Sequence, residues 1–62
     1  MTNDELRIAV KELKLFQDIS YTEIADYLEI KQSSMFNWLK GQYNFSTKRM
    51  LALQEIICNL KE

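Results

Sequence analysis

An all-α fold, a compact four-helix domain, follows from three features of the chain. It has no proline, and its only glycine is Gly41, so no strong helix breaker occurs over the first two thirds. Leu, Ile, Glu and Lys are abundant, and the apolar residues recur at three- and four-residue spacing. Hydroxyl residues stand ahead of these stripes at Thr2, Ser20 and Ser46, where a helix start needs a side-chain acceptor.

Thr2 and Glu5 form a capping-box pair, which predicts a first helix over about residues 3–16. Its inward stripe reads Leu6, Ala9, Val10, Leu13 and Phe16, flanked by Ile8 and Leu15, with Arg7, Lys11, Glu12 and Lys14 on the charged outer face. A second box, Ser20 with Glu23, opens a helix over about 21–28 that buries Ile24, Ala25 and Leu28. Glu29-Ile30-Lys31 then leaves only a sharp corner before a third helix over about 32–40, which Gly41 ends with a left-handed residue. Met35, Trp38 and Leu39 share one side of that helix, while Ser33, Phe36, Asn37 and Lys40 share the other. After a short connection, Ser46 caps a fourth helix over about 47–60, with Phe45 and Met50 placed as a hydrophobic staple and Met50, Leu53, Ile57 and Leu60 inward.

A chain of 62 residues holds one domain over 1–62, near the lower limit for a self-sufficient core, so self-association is expected. Without histidine there is neither a His-based triad nor a His-ligated metal, and a single cysteine cannot build a thiolate cage. One glycine cannot make a phosphate-cradling loop. The expectation is a non-enzyme with no catalytic residue, metal or cofactor. No apolar run reaches the roughly 20 residues of a membrane span, and the lone Cys58 suits a reducing compartment, so a cytoplasmic protein without a membrane partner is expected. Cys58 itself is expected as a buried or interface hydrophobe.

The net charge of −1 conceals a segregation. Residues 1–30 hold seven acidic and three basic residues, whereas residues 31–62 hold five basic and two acidic ones. No acidic residue occurs from Lys31 to Gln54. Two short helices joined by a three-residue corner, the second closed by glycine, describe a helix-turn-helix over about 20–41.

The residues Glu23-Ile24-Ala25, Leu28, Ile30, Ser33, Met35, Trp38, Gly41 and Ser46 resemble the pattern of the Cro/CI-type (XRE-like) helix-turn-helix family of bacterial and phage regulators. The resemblance covers about two thirds of the chain, from about Ser20 to Ile57. One departure is plain: Glu29 stands where the family has glycine at the corner. A left-handed non-glycine residue costs about 1 kcal/mol, which puts the shape of that corner in question.

The resemblance implies a repressor-like regulator of phage or prophage type whose third helix enters the major groove of double-stranded DNA. Carried onto this chain, the base readers are Lys31, Gln32, Ser33, Phe36 and Asn37. Gln and Asn suit adenine N6 and N7, and an exposed phenylalanine suits a thymine methyl. Phosphate contacts fall to Lys40, Gln42, Tyr43, Asn44, Thr47, Lys48 and Arg49. Phe36 has a second reading, as packing against Tyr43 or Phe45 or as an interface residue. A homodimer is expected, through either Ile8 and Leu15 of the first helix or Leu51, Ile56 and Cys58 of the fourth. A protein partner in place of DNA is the competing expectation, since an aromatic anchor beside polar residues serves either.

Overall fold

The computed structural model describes residues 1–60; Lys61 and Glu62, which the charge count and the 1–62 domain include, lie outside the described residues. Four helices follow one another: α1 (Asn3–Gln17), α2 (Tyr21–Leu28), α3 (Gln32–Leu39) and α4 (Thr47–Leu60). The first helix runs one residue longer than expected and the third one residue shorter. α1 and α2 both pack on α4, and α3 packs on α2. No helix among the described residues is long and apolar enough to cross a membrane.

The helix ends are built by the predicted chemistry, with one difference. The Glu5 N–H donates to Thr2 Oγ1 (3.1 Å) and the Thr2 N–H donates to Glu5 Oε1 (2.8 Å), a complete capping box. Ser20 accepts from the Glu23 N–H at 3.1 Å, but the carboxylate of Glu23 does not reach back, so the second box is one-sided. Ser46 accepts from the Arg49 N–H at 3.4 Å at the start of α4.

Glu29 occupies the left-handed region (φ 59°, ψ 40°), so the corner keeps the shape that a glycine would give it. Two hydrogen bonds hold it there: Glu29 N–H to the Asp26 carbonyl and Ile30 N–H to the Ala25 carbonyl, each 3.1 Å. This is a Schellman closure, and Ile30 adds its apolar contact by packing against the core. Gly41 (φ 83°) ends α3 the same way, with Gly41 N–H on Trp38 and Gln42 N–H on Asn37, both 3.0 Å.

One core joins Leu6, Ala9, Val10, Leu13, Ile24, Ala25, Met35, Trp38, Phe45, Leu53 and Ile57. Ala25 is fully buried between the helices of the corner, where a larger side chain would push them apart. The Trp38 and Phe45 rings stack at 4.3 Å, nearly parallel. Three expectations are corrected. Phe16 lies out in solvent rather than on the inward stripe: α1 ends at Gln17, left-handed Asp18 redirects the chain, and Ile19 packs on the core instead. Cys58 is exposed rather than buried, because the inward side of that turn belongs to Ile57.

The third correction is Arg7, expected on the charged outer face and found buried. Its Nε donates to the Trp38 carbonyl (2.6 Å), its Nη1 to Asp4 (2.9 Å), and its Nη2 to the Tyr43 carbonyl (2.7 Å) and Asn44 Oδ1 (3.0 Å). The guanidinium also lies 5.2 Å from the centre of the Trp38 ring. One planar fork therefore ties α1 to the end of α3 and to the loop behind it.

Candidate nucleic-acid interface

Lys31, Gln32 and Ser33 are exposed at the start of α3, Phe36 is exposed over 40 % of its surface, and Asn37 is half-buried. These residues share the outer side of α3 because Met35 and Trp38 anchor the inner side in the core. Gln32, Ser33 and Asn37 make no side-chain hydrogen bond among the described residues. Their donors and acceptors are thus open to a ligand.

The electrostatics of the helix starts divide the molecule. α1 and α2 carry acidic residues in their first turns, as the helix dipole favours. α3 and α4 carry none; the residue capping α3 is Lys31, which makes no side-chain cap hydrogen bond, and α4 starts Thr47-Lys48-Arg49. Basic residues at the positive end of a helix are locally unfavourable, and an anionic partner would relieve that cost.

Phe36 packs, but not where expected. Its ring meets Tyr21 edge-on at 6.0 Å, and the Lys14 ammonium sits 4.5 Å from the centre of the Tyr21 ring. Tyr43 and Phe45 pack on each other instead, at 5.8 Å. Tyr21 opens α2 beside the middle of α3, so it takes the contact that the loop aromatics were expected to make.

Lys40, Gln42, Tyr43 and Asn44 follow α3 as a tethered, exposed segment. The Tyr43 hydroxyl donates to the Ser34 carbonyl at 2.9 Å, so its hydrogen is already engaged. Asn44 lends its oxygen to Arg7 and keeps its amide N–H groups for other partners. Asn3 fixes the far end: its oxygen accepts from Trp38 Nε1 and from the Phe45 N–H, each at 2.8 Å. Sequence reasoning missed Asn3 and Arg7 as the supports of this segment. The available signal was their spacing, which with Val10 gives i, i+4 and i+7 along the edge of the core stripe.

Thr47, Lys48 and Arg49 are exposed as well. Lys48 and Arg49 line an open groove of about 340 Å³ with Tyr27, Leu28, Glu29, Ser46 and Ala52, and no residue of α3 lines it. Arg49 also lies 5.7 Å from the centre of the Phe45 ring. The expected contacts therefore fall into two groups, the outer side of α3 with its following loop and a basic groove beside the corner.

Comparison with known protein families, with characterised proteins and with solved structures finds no match to this chain.

Proposed function

We propose that the protein is a sequence-specific regulator of the Cro/CI type that binds double-stranded DNA as a homodimer, with α3 in the major groove. The observation that carries this reading is the outer side of α3, where Gln32, Ser33, Phe36 and Asn37 present open polar groups and one aromatic edge. Each of these has a base-edge partner: amides for adenine, hydroxyl for several acceptors, and ring for the thymine methyl. The left-handed corner at Glu29 supports the reading, since it supplies the bend that a helix-turn-helix needs. Lys31, Lys40 and the amides of the following loop suit phosphates on either side of the groove. Two such helices, about 34 Å apart in a two-fold dimer, match successive major grooves on one face of the duplex.

The test is fluorescence anisotropy on duplexes flanking the protein's own gene, at about 50 and 200 mM salt. The reading expects a tight site with a steep salt dependence that Gln32→Ala/Asn37→Ala abolishes. Weak, sequence-blind binding by the folded protein would refute base reading by α3. A second reading, a helix-turn-helix used to bind another protein, is favoured by the half-exposed Phe36–Tyr21 pair, which is the kind of aromatic anchor that dominates protein interfaces. Charge reversal at Lys40 and Lys48 separates the two. DNA binding should weaken for every sequence alike, with the salt slope falling by about 1 per residue, whereas a protein complex anchored on Phe36 should persist.

A further inference from the structure

Tyr21 has no part in the DNA contacts proposed above, yet three helices meet at its ring. It is the first residue of α2, directly after the Ser20 cap, and packs half-buried against the core. The Lys14 ammonium of α1 lies 4.5 Å from the centre of the ring, and the Phe36 ring of α3 meets it at 6.0 Å and 86°. Phe36 does not belong to the core: 40 % of its surface is exposed. Tyr21 is its one aromatic partner among the described residues.

A phenylalanine this exposed on a helix exchanges between its permitted χ1 rotamers unless a neighbour holds it in one. An edge-to-face ring does so, provided that ring is itself fixed. Tyr21 is fixed from two sides, by the core and by the Lys14 cation on its ring.

We infer that Tyr21 is a positioning residue for base reading: it sets the Phe36 ring so that the ring distinguishes a pyrimidine carrying a C5 methyl from one without it. The inference rests on base reading by α3. Contact between a methyl and a ring falls off steeply with separation, so a displaced ring loses selectivity. The amide contacts proposed for Gln32 and Asn37 do not pass through Phe36 and survive that displacement. The Tyr21 hydroxyl makes no hydrogen bond among the described residues, so the ring alone does the positioning.

The experiment is a uracil scan. The tight duplex is titrated by fluorescence anisotropy with its thymines replaced singly by uracil, which deletes the methyl and leaves the pairing edge unchanged. The wild type should lose about fourfold in affinity at the thymine facing Phe36, the value for one buried methyl or methylene. Phe36→Ala should bind the thymine and uracil duplexes alike, which identifies that position. Tyr21→Leu and Tyr21→Met, which keep apolar bulk against the core, should each lower the ratio below about twofold, whereas Tyr21→Phe should retain it. Far-UV circular dichroism establishes that each variant is folded.

A Tyr21 that only stabilises the fold would weaken binding to both duplexes equally, and an unchanged ratio in Tyr21→Leu and Tyr21→Met would overturn the inference. So would loss of the ratio in Tyr21→Phe. A wild type whose tight binding depends on Gln32 and Asn37, yet shows no uracil-sensitive position that Phe36→Ala abolishes, would overturn this inference alone. A folded wild type with no preferred duplex would overturn the base reading and this inference together.

Discussion

Burying a guanidinium is unfavourable unless its nitrogens find acceptors, and all three nitrogens of Arg7 do, through two carbonyls, a carboxylate and an amide oxygen. Lysine carries the same charge, but its donors sit on a single nitrogen, which cannot reach acceptors spread around a guanidinium plane. Arg7→Lys should therefore cost about 2 kcal/mol, as expected for lost hydrogen bonds to a charged group, and lower the melting temperature by about 10 °C. A melt unchanged within a degree or two would show that the fork is ornamental. Glu5 gives a prediction in pH. The Thr2 backbone N–H, and then its hydroxyl, hold the Glu5 carboxyl below its ordinary 4.5. A group whose pKa is depressed by folding stabilises the native state above its unfolded pKa and loses that effect as pH falls through the folded value. Stability should accordingly decline below about pH 4.5, and Glu5→Gln should flatten that part of the profile, as read from urea midpoints at successive pH values. A decline unchanged in Glu5→Gln would assign it to other carboxylates.

Two helix ends, one with Gly41 and one with Glu29, solve the same problem with different residues. Gly41 has open space around its missing side chain, so Gly41→Ala meets no clash and should lose only the conformational term, about 1 kcal/mol. Glu29→Gly should go the other way, gaining up to about 1 kcal/mol offset in part by the greater freedom of glycine in the unfolded chain. Paired thermal melts check both signs, and a destabilising Glu29→Gly would mean that the carboxylate has a structural role. The elements were legible in the sequence because their signals are local. Capping hydroxyls, a lone glycine and stripes at helical spacing located all four helices to within a residue. What escaped was non-local. The backbone and side-chain acceptors of Arg7 in the α3–α4 region lie 31, 36 and 37 residues downstream, and no periodicity within α1 reports them. Phe16 fitted the inward stripe but stands at the last turn, where the chain leaves the core and Ile19 takes the place. For the candidate site, the outer side of α3 could be read from the burial of Met35 and Trp38, whereas the Tyr21 partner of Phe36 depends on how α2 crosses α3.

The whole molecule turns a charge segregation along the chain into a difference between helix starts, acidic on α1 and α2 and uncompensated on α3 and α4. A net charge of −1 is compatible with this arrangement because affinity for an anionic polymer depends on where the cations sit. The Arg7 and Asn3 contacts tether the loop after α3 to the body of the domain, so the loop residues proposed to meet phosphates are held in place beside α3. The proposed reading of bases by the outer side of α3 can be examined by selecting binding sites from a pool of random duplexes. Enrichment of a two-fold symmetric site is expected, with adenine and thymine at the positions facing Gln32, Asn37 and Phe36, and no enrichment with Gln32→Ala/Asn37→Ala. A folded wild-type protein that enriches no sequence over repeated rounds, or a double variant that enriches the same site, would contradict it.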